Sequence, residues 1–413
     1  MAARTGSANL PLHGGRVPAW LASRMAALAR VIAEAIVHHY GRQELLRRLA
    51  DPFWFQSFGA VMGMDWHSSG ITTSVIGAMK RGLAPIGREL GVFVCGGRGA
   101  HSRRTPEELG AIGDRTGLNA TPLVRTSRLI AKIDSALVQD GYDLYLHGFF
   151  VTVEGDWCVI QQGMNPEQRE ARRYHWGSDT VAGFLDSPHR AIEGRNMGLI
   201  LNLADCEAAA NRSGGLALVR EGPQTVVSLL QDLRSRRAGT LDLFGDNTLP
   251  ADGHLAPRPP HLTMPAHHDV RAADVDLRRL HATLAAAAEC GPQDFTELLL
   301  LPGIGARTVA SVAFVAEVLH GAPCRFSDPA RFSLAHGGKD GHPFPVPLKV
   351  YDETIAVLKR AVRNARLGRS EELDAIRRLD DQSRRIDVLQ GPSFEEYVDV
   401  ERVHSPAYGG RTV

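Results

Sequence analysis

No two of the five cysteines in this chain form a C-x-x-C pair. Cys95, Cys158, Cys206, Cys290 and Cys324 are far apart and odd in number. That spacing excludes a zinc or iron–sulfur signature and a disulfide framework. Reduced thiols in a cytoplasmic protein are the simple expectation. Long apolar runs are missing too: nothing approaches the uninterrupted stretch of about 18 residues that a membrane span needs. The opening residues, MAARTGSANLPLHGGR, are polar and lack the apolar block of a signal peptide. Charge of one sign is not in excess, with 47 Lys and Arg against 46 Asp and Glu. The whole chain therefore favours neither a polyanionic nor a polycationic partner, and only local clusters can speak for one. No internal repeat is found.

What is present is the composition of a globular protein, 44% hydrophobic and 23% charged. At 413 residues it is too long for one ordinary core, so two or three domains are expected. Residues 17–50 predict helix, with Leu21, Met25, Leu28 and Ile32 at helical spacing. Residues 55–91 are punctuated by Gly and Ser. The run VFVC at 92–95, opening into GGRGAHSRR, predicts a strand and then a loop. Residues 126–139 predict a helix. In 144–163, two β-rich runs flank Glu154-Gly155-Asp156, a hairpin signal. Residues 167–176 and 224–235 read as helix again. Residues 236–268 are rich in Pro, Gly and Asp, without periodicity, and read as a linker. The expected fold class is α+β. A mixed α/β N-terminal domain (1–235) joins through that linker to an all-α C-terminal domain (269–390), followed by a tail (391–413).

The most informative stretch is LLLLPGIGARTVASV, residues 298–312. Asp294 and Glu297 predict a capping box for a first helix. Pro302 ends that helix, because it cannot continue the backbone hydrogen bonding. Gly303 and Gly305 permit a tight turn and leave the backbone uncovered. A second helix then starts near Ala306, and its free N–H groups favour an anion such as phosphate. LPGIGARTVASVAFVA resembles a helix-hairpin-helix element, the sequence-independent DNA-backbone binder of many repair proteins. The resemblance implies DNA as partner and Gly303, Ile304, Gly305, Arg307 and Thr308 as its contacts.

Further on, GAPCRFSDP is similar to the G-x-P-x-x-x-x-D stretch of the endonuclease III glycosylase superfamily, in which the aspartate is catalytic. By that resemblance Asp328 is the catalytic carboxylate. The superfamily's Schiff-base lysine position is Arg307 here, and a guanidinium that stays protonated forms no imine. Any lyase step would then fall to Lys339 or Lys132. The loop HGGKDGHPFPV (336–346) is either a solvated turn or a phosphate-contacting loop with His336, Lys339 and His342 as donors.

The N-terminal half offers less resolved signals. CGGRGAHSRR places a Gly-rich loop beside Arg98, Arg103 and Arg104, a combination suited to phosphate oxygens. Arg128 and Lys132 are four residues apart on a predicted helix and share a face. Arg169, Arg172 and Arg173, interleaved with Tyr174, His175 and Trp176, suit backbone contact with base stacking, or else a salt-bridged helix face. Asp134, Asp140 and neighbouring residues are a possible divalent-metal set for phosphodiester cleavage, although no nuclease signature defines it. The stretches TGSANLPLHGGRVPAWL, VCGGRGAHSRRTPEEL and AHGGKDGHPFPV also resemble an uncharacterised prokaryotic family, domain of unknown function 763.

The expected activity is a DNA-processing enzyme of repair or recombination, a glycosylase or abasic-site lyase centred on Asp328, needing no certain cofactor. The alternatives are a nuclease using Mg or Mn at Asp134 and its neighbours, or a non-catalytic DNA-binding protein. No membrane role is expected, and the oligomeric state is left open.

Overall fold

Strands in an antiparallel sheet usually leave one face to water, but here both faces are covered. The computed structural model describes residues 10–11, 19–62, 69–228, 231, 277–330, 356, 360 and 363. Its main sheet is built from β1 (Leu10–Pro11), β2 (Val92–Arg98), β4 (Asp143–Thr152), β5 (Trp157–Asn165), β6 (Glu170–Gly177) and β7 (Ala191–Glu193). The strand order is β1-β6-β5-β4-β2, with β7 also on β6, and every pairing is antiparallel. A separate two-stranded ladder joins β3 (Val138–Gln139) to β8 (Leu201–Asn202). The fold is mixed α and β, as expected.

Helices α1 (Ala19–Tyr40), α2 (Arg42–Ala50), α3 (Pro52–Val61) and α4 (Gly70–Leu83) cover one face of the sheet. Ile71, Val75, Met79 and Leu83 recur every three or four residues on α4 and pack with Ile32, Phe55 and Phe58 against Phe150, Cys158 and Ile160. Helices α1 and α4 touch so closely at Gly82 that a methyl group there would stand 2.3 Å from the Ala26 carbonyl oxygen, so no larger residue fits. The short α5 (Gly87–Leu90) then leads into β2.

The second face is covered by α7 (Thr105–Thr116) and α8 (Ala120–Lys132), following the short α6 (Ala100–Arg103). It is also covered by α9 (Ala209–Glu221), α10 (Leu277–Cys290), α11 (Phe295–Leu300) and α12 (Ala306–His320). One continuous core joins Phe149, Val159, Tyr174 and Trp176 of the sheet to Ile130, Leu218, Leu284, Leu299, Val309 and Val315. The described C-terminal helices thus share the core of the sheet rather than enclosing one of their own.

The hairpin at Glu154–Asp156 is present, joining β4 to β5, with Thr152 N donating to Asp156 O at 2.9 Å. The helix expected at 126–139 is α8 continued by a π-helical turn, Ile133–Leu137. Residues 223–228 are helical, overlapping the expected 224–235. One expected helix fails. Residues 170–177 form strand β6, not a helix: Arg172, Tyr174 and Trp176 point to one face, Arg173 and His175 to the other. Because both faces are buried, the apolar–polar alternation that marks a strand is missing. The Gly- and Ser-punctuated stretch 55–91, for which the sequence assigned no element, is largely helical where described, with Gly59, Gly77 and Gly82 tolerated inside helices packed on the sheet. The linker, 236–268, and the tail, 391–413, lie outside the described residues.

Candidate functional site

The hairpin after α11 forms as its residues dictate. Asp294 Oδ1 accepts from Glu297 N at 2.8 Å, and Glu297 Oε2 accepts from Gln293 N at 2.7 Å, so the helix start is capped from both sides. Gly303 adopts φ 83°, a left-handed conformation that glycine enters at little cost. Ile304, 2% exposed, pins the turn into the core. Pro302, Gly303 and Arg307 are exposed, and nothing lies within 4 Å of where a side chain on Gly305 would stand. Helix α12 begins here, and its first N–H groups have no acceptor within the helix.

Helix α8 and strand β3 brace this hairpin. Lys132 Nζ donates to Ile304 O at 2.5 Å, Gln139 Nε2 to Ala306 O at 2.9 Å, and the Arg125 guanidinium to Thr296 Oγ1 at 3.2 Å. Arg125, Arg128 and Lys132 follow helical spacing on one side of α8. Arg125, Arg128 and Arg307 are exposed, and neither Arg128 nor Arg307 makes an ion pair among the described residues. Lys132 is half-buried, and desolvation lowers its pKa from the ordinary lysine range. Of the residues named from the sequence, Gly303, Ile304, Gly305, Arg307, Thr308 and Lys132 therefore come together.

The Gly-rich stretch, expected as a loop, is instead the end of β2 and the short α6; it is separate from this surface, and its anion is already supplied. Gly96 N donates to Glu108 Oε2 at 2.8 Å, and Lys80 Nζ holds the same carboxylate at 2.7 and 2.8 Å. Arg98, Arg103 and Arg104 are exposed around it; Arg98 lies over the Tyr145 ring and Arg104 is 4.0 Å from Glu107.

The two-sided burial of the sheet explains the remaining candidates. Polar side chains on β4, β5 and β6 cannot reach water, so each needs a partner inside the protein. Arg172 and Arg173, expected to contact DNA, are both fully buried on opposite faces of β6 and cannot do so in this fold. Arg173 pairs with Glu193 at 2.8 Å and donates to Thr72 Oγ1 and Gln56 Oε1. Arg172 donates to Asp140 Oδ2 at 2.9 Å and forms a two-pronged pair with Asp328, at 2.7 and 3.1 Å. Tyr174 OH also donates to Asp140, at 2.6 Å, yet burial pushes the Asp140 pKa above the usual carboxylate range.

Asp134 accepts from Gln161 Nε2, from Trp176 Nε1 at 3.0 Å and from His189 Nε2 at 2.5 Å. On its other side Gln161 Oε1 meets His147 Nδ1 at 2.7 Å, and His147 Nε2 meets Ser127 Oγ at 2.9 Å. Asp134 and Asp140 thus serve separate networks. Among the described residues, no three His, Cys, Asp or Glu side chains converge as metal ligands. His336 and Lys339 lie outside the described residues. His189 was not singled out from sequence, because an isolated histidine in SPHR carries no pattern until Asp134 is seen beside it.

The family model described as "Protein of unknown function (DUF763)" matches residues 6–346. No curated protein and no solved structure matches the chain. Among the described residues, no helix is long and apolar enough to cross a membrane.

Proposed function

Because the chain belongs to that family of unknown function, which brings no activity with it, we propose from the site itself that the protein binds the backbone of DNA and acts in repair or recombination. The observation that carries this reading is the hairpin: an uncovered Gly303–Gly305 turn at the head of α12, braced by Lys132 and flanked by Arg128 and Arg307, which make no ion pair among the described residues. Backbone N–H groups and guanidinium groups on one surface suit phosphate oxygens and read no base sequence. In this reading the C-terminal helices are a helix-hairpin-helix unit similar to that of the endonuclease III superfamily, working in the cytoplasm.

The chemistry we attach to it is an abasic-site lyase step. Lys132 stands at the hairpin, and an amine whose pKa burial has lowered is a better nucleophile at neutral pH. Its Nζ would leave the Ile304 carbonyl and attack the open-chain sugar aldehyde, expelling water to form an imine. A glycosylase step at Asp328 requires that carboxylate to leave Arg172, since both its oxygens are occupied.

The test is a set of end-labelled oligonucleotides, intact, uracil-containing, abasic, mismatched and single-stranded, each with EDTA and with Mg²⁺ or Mn²⁺. Borohydride should trap the wild-type protein on abasic DNA in EDTA, and Lys132→Arg should abolish the trapped species. Cutting seen only with metal would move the reaction to a nuclease centre. Failure to bind any oligonucleotide would remove the reading altogether.

A further inference from the structure

A cavity of about 470 Å³ opens beside β8, on the far side of the Asp134 network, and includes His189 in its wall. That volume falls within the range of small-molecule sites. The His189 side chain is 7% exposed. Asp134 accepts hydrogen bonds on both oxygens, and an ionised carboxylate can only accept. His189 Nε2 therefore carries a hydrogen, and Nδ1, a lone pair in the neutral imidazole, has no partner among the described residues. The Trp176 ring, 4.3 Å away between centroids, fixes the imidazole in place.

A second buried group in the same wall is also incomplete. Asn202 is 3% exposed, and its Oδ1 accepts from Ala204 N at 3.1 Å. That bond fixes the amide and leaves Nδ2 as a donor without a partner among the described residues. The cavity thus presents one acceptor and one donor, each on a buried and oriented side chain.

The charges on the wall are already balanced. Arg190 pairs with Asp179 at 2.8 Å, Arg325 with Asp205 at 3.3 Å and Glu207 at 2.8 Å, and Asp328 with Arg172. Among the described residues of the wall an ionic ligand would find no free counter-charge, which selects for a neutral one. Ile192, Phe326 and Leu199 supply apolar surface, and Leu199 is 59% exposed.

We propose that this cavity binds a nucleobase with a ring N–H beside a carbonyl, as in thymine, uracil, guanine or hypoxanthine. The ring N–H donates to His189 Nδ1, the carbonyl accepts from Asn202 Nδ2, and the ring face lies on the apolar wall. A sugar would bring several hydroxyl groups to a wall whose two buried, oriented groups offer one acceptor and one donor. The base is either that of a free nucleoside or an unpaired base of a strand. The site does not depend on the hairpin.

Calorimetric titration of the full-length protein with thymidine, guanosine, N3-methylthymidine and ribose tests the proposal. Thymidine and guanosine should bind, and methylation of N3 should weaken thymidine at least about tenfold, the worth of one lost hydrogen bond. Asn202→Asp keeps the acceptor for Ala204 N, removes the donor and should weaken thymidine about as much. Equal binding of thymidine and its N3-methyl form, or no nucleoside binding at all, would overturn the assignment, and this comparison needs no variant to fold. A Gly305→Leu protein should keep thymidine binding, which separates this site from the hairpin. Loss of affinity in Asn202→Asp for both thymidine and oligothymidylate identifies a strand base as the ligand; loss for thymidine alone identifies a free nucleoside.

Discussion

Asp328 closes a two-pronged ion pair on Arg172, 156 residues earlier in the chain, with both side chains fully buried. Met197 N and Ala330 N donate to the same carboxylate at 2.6 and 2.9 Å. Arg172 is held in turn by Asp140 and lies over the Tyr142 ring. The pair fastens the segment after α12 to the sheet. Its geometry is that of a clasp: the aspartate that sequence spacing marks as a catalytic acid has every acceptor direction engaged.

Asp328→Asn should therefore act first on stability. Breaking a buried pair leaves an uncompensated charge and costs roughly 3–5 kcal/mol. Asp140 stays beside Arg172, so the lower end of that range is expected. Urea denaturation of the variant would measure it. An unchanged midpoint with lost DNA processing would return Asp328 to a catalytic role.

Gly303 and Gly305 should respond differently to substitution. Gly303 lies at φ 83°, where a side chain is strained, and its methyl position is 3.2 Å from Thr283. Gly303→Ala should cost about 1 kcal/mol. Gly305 has extended backbone and open space, so Gly305→Leu should leave the melting temperature unchanged while covering the backbone offered to phosphate. Fluorescence anisotropy with a labelled duplex would show at least tenfold weaker binding. Undiminished affinity would remove the hairpin from the interface.

How much of this was legible in the sequence depends on how local the determinant is. The α11 cap, the Pro302 stop and the Gly303 turn are set within a few residues, and they appear where the sequence put them. The β4–β5 hairpin was equally readable from Gly155 and its β-rich flanks. Strand β6 was not, because burial on both faces removed the alternation and left Arg172-Arg173 looking like a polar helix face. The partners of those arginines, Asp328 and Glu193, are long-range contacts that no spacing announces. The pairing of His189 with Asp134 escaped for the same reason, being fixed by tertiary packing across 55 residues.

The basic surface predicts a salt dependence. Each phosphate neutralised adds about 0.9 to the slope of log K against log salt concentration. Arg128→Gln and Arg307→Gln should each lower that slope by about one and weaken duplexes of any sequence alike. Arg103→Gln, on the separate helix α6, should leave the slope unchanged if the hairpin surface is the binding face. A drop with Arg103→Gln alone would move the interface to α6.

Two buried histidines predict that acid weakens the fold well above the carboxylate range. Burial lowers the pKa of His147 and of His175 below the ordinary value of 6.5, against the opposing pull of Gln161 and Asp134 on the first and Glu193 on the second. Both are therefore neutral when folded. His147 is fully satisfied in that form, accepting from Ser127 at one nitrogen and donating to Gln161 at the other. Between the folded and unfolded pKa values the unfolded chain binds more protons, so the stability is present above about pH 6.5 and is lost as pH falls below it. Each histidine contributes a slope of up to about 1.4 kcal/mol per pH unit. Asp140, whose pKa burial raises, works in the opposite direction, its contribution being largest at low pH and lost as pH rises through its raised value. Urea midpoints from pH 7.5 to 5.0 on wild type, His147→Gln and His175→Gln separate the two effects. Wild type should weaken on acidification, and each variant should weaken less steeply. A wild-type midpoint that is flat or rises toward pH 5.5 would mean that neither histidine is held neutral by the sheet.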